Sequence, residues 1–339
     1  MFSKRDFIIP KEGIDIVKDI VIGKIKQTIL IQSYDSSNPV MLFIHGGPSM
    51  PLPGVSSRGK DYTIISNIKE LVKHYTVVFW DQRGTGKSYH EDIPQNTMSF
   101  EQFLQDANEM VDYLKSEFKV EKVHLAAHSF GTLIGIYLVN RHPHKFYSYT
   151  GLSQIINWTE NDKLSYEQIK KEAIKRNDKK ALKELEEVGE PPYTDSYKQW
   201  GVLRKYQMKY NTMIYSDEKI KHPGLFKITL DMFFSKDYTF KDLVNTFYKG
   251  FKLIYSDEFI KNIPNINVKE EVKEIKVPTT FIHGIKDLHV HFELLEEFLK
   301  SVSKKEKAEC ILLNNSSHLF HPIDTKKIEE ILIKASVKC

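Results

Sequence analysis

The stretch "VHLAAHSFGTLIGIYLVNRHP", residues 123–143, carries a short apolar run directly into a longer apolar segment, with Ser129 at the join. The short run has the length of a strand buried on both faces, and the longer segment has the length of a helix. The same rhythm recurs on both sides. "VMLFIHGGPS" is a buried run, a helix-like stretch around "IISNIKELVKH" comes after it, and "TVVFWDQRG" is the next buried run. The amphipathic segment "SFEQFLQDANEMVDYLKSEF" begins at Ser99, an N-cap with Gln102 at the third helical position. "SYTGLSQ" reads as a further strand. Strands alternating with helices imply parallel strands joined by helical crossovers, hence an α/β sheet.

The edges of this pattern are different. Near the start, "IDIVKDIVIG" and "KIKQTILIQSYD" alternate apolar with polar residues around Gly23, the pattern of an antiparallel hairpin. From Ile155 to about Lys269 only helix-like, aromatic-rich segments occur, among them "YKQWGVLRKYQMKYNTMIY" and "TFKDLVNTFYKGF". The α/β rhythm then returns with "VPTTFIHGIKD", "HFELLEEFLKSV", "AECILLNN" and "DTKKIEEILIKAS". The expected organisation is a core in two parts, residues 1–154 and 270–339, interrupted by a helical lid over 155–269. A lid there would cover the C-terminal edge of the sheet, where open α/β sheets bind ligands. Some of its Tyr and Phe side chains would wall an apolar pocket.

Charge and cysteine content exclude several classes. The 49 basic and 45 acidic residues nearly cancel, and Lys and Glu alternate along helix faces, as solvated surface rather than a nucleic-acid footprint. No apolar run reaches bilayer length, and the first residues lack the features of a secretory signal. The two cysteines, Cys310 and Cys339, offer neither metal spacing nor a disulfide framework. A reducing cytoplasm is the expected location. The loop "DQRGTGKS" ends like a phosphate-binding loop, but Asp81 occupies the place of its first glycine, and Tyr89 stands where a dinucleotide fingerprint needs its third. No nucleotide is expected.

The chemistry gathers at strand ends. A serine hydroxyl becomes a nucleophile when it is exposed on a sharp turn, aligned with a base and set beside oxyanion donors. Ser129 has Ala127 and Gly131 two positions to either side, which permits such a turn. The Gly-Gly turn of "HGGPS" can aim an N–H at the developing oxyanion. Gly47 is the expected donor, with Gly46 its neighbouring alternative, and Phe130 N–H is the second. Asp287 follows one later buried strand and His318 the next, completing the order Ser, Asp, His. His321 is the competing base, and an acid near Glu160 the competing orienter. His128, His289 and His291 read as structural or supporting residues, and His45 as pinning its own loop.

Together "HGGPS", "DQRGTGKS", "AHSFG", "GIKD" and "SSH" resemble the α/β-hydrolase superfamily. "HGGP" with "DQRG" is similar to its proline iminopeptidase branch, the S33-type serine peptidases. The resemblance covers about two-thirds of the chain, the two core segments. It implies a mostly parallel sheet flanked by helices, a Ser129–His318–Asp287 relay passing through an acyl-enzyme, and no metal or organic cofactor. It further implies that Asp81 and Arg83 brace the oxyanion turn through charge-assisted hydrogen bonds, with Lys87 in solvent or behind the site. The expected partner is a small molecule or short peptide, with neither nucleic acid nor membrane.

Departures from that branch bear on the substrate. Ala127, His128 and Phe130 stand where the iminopeptidases carry a glycine pair and a Trp, and Ser49 ends the "HGGPS" turn. Their lid holds a Trp-Glu pair for the substrate amine. Here the nearest counterparts are Trp158 with Glu160, and Trp200 followed by Gly201. Glu160 and Glu190 are the lid carboxylates put forward, beside Asp195, Asp231 and Glu258. An aminopeptidase on small peptides is the first expectation. A carboxylesterase or lactonase is the second, and a non-catalytic binding protein on the same fold is the third.

Overall fold

The computed structural model describes residues 5–336. Eight strands form one sheet in the order β1-β2-β4-β3-β5-β6-β7-β8. Strands β1 (Ile14–Ile22) and β2 (Ile25–Ser33) make the expected hairpin. Its two-residue turn, Gly23 and Lys24, has φ of 57° and 64°; positive φ at both positions matches the twist of the flanking strands. β2 also runs antiparallel to β4 (Thr76–Asp81). The remaining pairs are parallel, through β3 (Val40–Ile44), β5 (Val123–His128), β6 (Phe146–Leu152), β7 (Thr279–Gly284) and β8 (Ala308–Leu313).

Every residue of β3, β4 and β5 is buried. Alternate side chains feed opposite faces: Leu42, Ile44, Val78, Trp80, Leu125 and Ala127 join one apolar layer, while Met41, Phe43, Val77, Phe79 and Ala126 join the other. Two covered faces explain why these strands read as continuous apolar runs rather than alternating ones. At the outer edge β8 is half-exposed and carries the free thiol of Cys310. Cys339 lies outside the described residues.

Helices pack on both layers: α1 (Leu71–His74), α2 (Phe100–Phe118) and α3 (Phe130–Arg141) before the insert, α12 (Phe292–Ser301) and α13 (Pro322–Ser336) after it. Ser99 caps α2 by accepting a hydrogen bond from Gln102 N–H at 3.2 Å. The helix expected around residues 64–74 is only the single turn α1. Asp61 takes the N–H groups of Ile68 and Lys69, and Thr63 and Ser66 close a local turn. These side-chain bonds offer the backbone an alternative to helix.

Between β6 and β7 lies the helical insert. It comprises α4 (Trp158–Lys175), α5 (Lys179–Val188), α6 (Tyr197–Lys209) and α7 (Gly224–Phe233), then the short helices α8 (Phe240–Val244), α9 (Gly250–Ile254), α10 (Asp257–Asn262) and α11 (Val268–Glu271). No helix among the described residues is long and apolar enough to cross a membrane.

Candidate active site

Ser129 sits between the last residue of β5 and the first of α3, at φ 53° and ψ −126°. A non-glycine residue with this backbone is strained by about 1–3 kcal/mol and persists only where its surroundings over-determine it. Here Ser129 N–H donates to Leu152 O at 3.1 Å, and its carbonyl accepts from Thr132 N–H at 2.8 Å and Thr132 Oγ1 at 2.5 Å. A side chain at position 131 would meet the backbone oxygens of Ile44 and His45 at 2.5 and 2.6 Å, so glycine is required there. Alanine is tolerated at 127 because its methyl packs across from Gly135, where an added Cβ would come within 3.1 Å of it.

The structure brings Ser129, His318 and Asp287 together from three strand ends. His318 Nε2 lies 2.9 Å from Ser129 Oγ, and Nδ1 lies 3.0 Å from Asp287 Oδ2. The second carboxylate oxygen accepts the N–H groups of His289 and Val290 at 2.8 and 2.9 Å. Burial alone would raise the Asp287 carboxyl. The charge and hydrogen bond of His318, with smaller contributions from His283 and the Val290 N–H, hold it well below the usual carboxylate range. An ionised Asp287 keeps the proton of His318 on Nδ1 and leaves Nε2 free to accept from the serine.

Two further imidazoles flank His318. The ring centroids of His128 and His289 lie 4.8 and 4.6 Å from its own. His128 Nε2 donates to His318 O at 3.0 Å. Burial, reinforced by His318, depresses His128 to about 3 and His289 well below its ordinary value. Both stay neutral near pH 7, so neither competes for the proton taken from the serine. His321 is elsewhere: its Nε2 faces Lys221 O at 3.2 Å and its Nδ1 accepts Ile323 N–H at the start of α13. His291 pairs with Ser165 at 3.0 Å.

The turn after β3 approaches the serine closely, since a Cβ on Gly46 would fall 2.9 Å from Ser129 Cβ. The N–H groups of Gly47 and Phe130 make no hydrogen bond to the described residues. His45 does pin this loop, with Nδ1 donating to Gly46 O at 2.7 Å and Nε2 accepting Gln82 N–H at 3.2 Å. The bracing differs from the expectation. Gln82 Nε2 donates to His45 O at 3.0 Å, Thr85 Oγ1 to Ser49 O at 2.7 Å, and Tyr255 from the insert to Gly47 O at 2.5 Å. Asp81 instead accepts Val55 N–H, Lys87 N–H and the Tyr238 hydroxyl, at 2.8, 3.0 and 2.6 Å. Lys87 reaches Asp242 at 3.2 Å. Asp81 and Lys87 thus fasten the insert to the core.

Arg83 points away from the turn. Its guanidinium meets Asp106 through two hydrogen bonds of 2.8 and 3.0 Å and donates to Gly23 O at 2.7 Å, tying the β1–β2 turn to α2. Both side chains are almost wholly buried. Breaking such a pair leaves an uncompensated charge, so Arg83→Met is expected to cost about 3–5 kcal/mol of stability. Urea unfolding would check this, and adding Asp106→Leu should recover much of the loss.

A cavity of about 230 Å³ opens beside Ser129 and His318. Its walls are largely apolar, with Ile64, Met208, Leu225 and Phe251 among them. Neither Glu160 nor Glu190 lines it, and nor do Asp195, Asp231 or Glu258. Glu160 is paired with Lys163 at the surface, 2.9 Å apart. The charged pair that does line the cavity is Asp162 and Arg204, with Nη2 2.5 Å from Oδ1. Burial holds the Asp162 carboxyl above its ordinary value, an effect that the charge and hydrogen bond of Arg204 offset only in part. Sequence reasoning passed over both residues, although a signal existed. Trp158 with Asp162, and Trp200 with Arg204, repeat an aromatic and a charge at i, i+4, which places each couple on one helix face.

Comparison with known proteins agrees with this architecture. Residues 39–173 match the alpha/beta hydrolase fold family. Over 314 residues the chain is 27% identical to the probable aminopeptidase YbaC of Bacillus subtilis (strain 168), covering 92% of this chain and 93% of that protein. Among solved structures, a proline iminopeptidase of Mycobacterium smegmatis superposes with a TM-score of 0.65 at 13% identity, covering 95% of this chain and 98% of the other. An esterase from Exiguobacterium antarcticum superposes with a TM-score of 0.60 at 15% identity, over 95% and 100% of the two chains. At such identities the solved structures establish the fold alone, and that fold is the α/β-hydrolase fold.

Proposed function

We propose that this chain, an α/β hydrolase distantly homologous to a probable aminopeptidase, is a serine hydrolase with Ser129 as nucleophile. The observation that carries the reading is the unbroken relay of 2.9 and 3.0 Å from Ser129 Oγ through His318 to Asp287. His318 Nε2 takes the hydroxyl proton as Ser129 Oγ attacks a carbonyl carbon. The oxyanion falls between the N–H groups of Gly47 and Phe130. The tetrahedral adduct then collapses, His318 gives its proton to the leaving group, and an ester to Ser129 remains. Water, deprotonated by the same imidazole, hydrolyses that ester and restores the serine.

The substrate class we favour is the short peptide with a free amino terminus. Similarity to the probable aminopeptidase over nearly the whole of both chains supports it, and Asp162 supplies a carboxylate in the cavity wall for the ammonium group. Acetylating that amine is expected to remove most of kcat/KM on aminoacyl arylamides. The loss should be on the order of 2–5 kcal/mol, the cost of leaving half of a desolvated charge pair unmade. A second reading, a carboxylesterase or lactonase for neutral acyl groups, is favoured by the pairing of Asp162 with Arg204 in otherwise apolar surroundings. Equal rates on free and acetylated substrates would establish it over the first.

A further inference from the structure

The Asp162–Arg204 pair has the make-up of a cation-binding seat already filled by the protein. Arg204 Cζ lies 5.4 Å from the Trp158 ring centroid and 5.0 Å from that of Trp200. Nη2 is on Asp162, and Nη1 donates to Gln207 at 2.8 Å. Aromatic faces combined with a carboxylate recognise organic cations through the ring quadrupole and direct charge pairing. Asp162 is buried with its side chain 4% exposed, whereas the Arg204 side chain keeps 16% and is therefore reachable from the cavity. The seat is also joined to the chemistry. Tyr255 stacks on Trp200 with centroids 4.7 Å apart, and its hydroxyl is the group that holds Gly47 O.

We propose that Arg204 is a specificity-determining residue that acts as an internal competitor for the substrate's ammonium group. The inference rests on the reading of this cavity as the acyl site of a Ser129 hydrolase. A free amine entering the cavity reaches Asp162 only by taking the carboxylate from the guanidinium. Displaced from Asp162, the guanidinium would still have Gln207 and the two indole faces as partners. The exchange excludes small alkylammonium ions, whose only contact is the charge. It admits an aminoacyl group, whose carbonyl is held at Ser129 and whose amine is thereby delivered at high effective concentration.

The test is Arg204→Met, which keeps an unbranched apolar chain on α6 and removes the competitor. KM for an aminoacyl arylamide is expected to fall about tenfold, and the preference in kcat/KM for that substrate over a neutral acyl ester to rise by a similar factor. Butylammonium, which needs no turnover to be observed, should bind the variant at least about tenfold more tightly than the wild type, read by tryptophan fluorescence. Asp162→Asn added to Arg204→Met should abolish that gain. Arg204→Gln, whose amide still donates to Asp162, is made alongside in case the unpaired carboxylate prevents folding, and should move both readouts in the same direction. An unchanged or raised KM for the aminoacyl substrate, with no gain in butylammonium binding, would overturn the proposal. Failure of the serine hydrolase reading itself would look different, as ester turnover that survives removal of the Ser129 hydroxyl.

Discussion

Ser129→Ala is expected to lower kcat by ~10⁴-fold or more and to abolish labelling by an organophosphonate probe. The change removes one oxygen from a residue whose backbone is held by Leu152 and Thr132, not by its own side chain. The fold should therefore persist, with an unchanged far-ultraviolet circular dichroism spectrum. Residual rate above the uncatalysed reaction should survive, because the N–H groups of Gly47 and Phe130 would still meet an oxyanion formed by water attack. Robust labelling of the alanine variant would show that the nucleophile lies elsewhere.

His318→Ala should be about as damaging as the serine change, since nucleophile and base act as one unit and losing either disables both. The contrast with His321→Ala makes the test sharp. His321 lies three positions along the chain, yet its ring faces Lys221 O and the first turn of α13. Its removal should alter stability more than turnover, with kcat within a few-fold of the wild type. The double variant Ser129→Ala, His318→Ala should lose little beyond either single change. A mild His318→Ala and a severe His321→Ala would reassign the base.

The legible parts of this protein are those that local chemistry dictates. Apolar runs of strand length announced the buried strands because both faces of β3, β4 and β5 are covered. The small residue Gly131 announced the turn because a side chain there would strike the backbone oxygens of Ile44 and His45 at the end of β3. Positions after strand ends located Asp287 and His318 because a parallel sheet presents all its C-terminal ends on one edge. The helix expected around residues 64–74 failed for an equally local reason: Asp61 and Thr63 satisfy backbone donors that a helix would have used.

Sequence by itself thus determined the α/β-hydrolase fold, with its hairpin edge and helical insert, and the strand ends at which Ser129, Asp287 and His318 stand. Tertiary structure alone decided the pairings of charged side chains that lie far apart in the sequence. Arg83, placed by its motif beside the oxyanion turn, turns to Asp106, because the β1–β2 turn and α2 bring a buried carboxylate to it. Glu160 turns to Lys163 in solvent, while Asp162, two residues on, faces the cavity and meets Arg204 from another helix. Helical periodicity says which residues share a face, but not which face the packing of α4 against α6 will bury. A charge finds its partner only after that packing has removed water from between them.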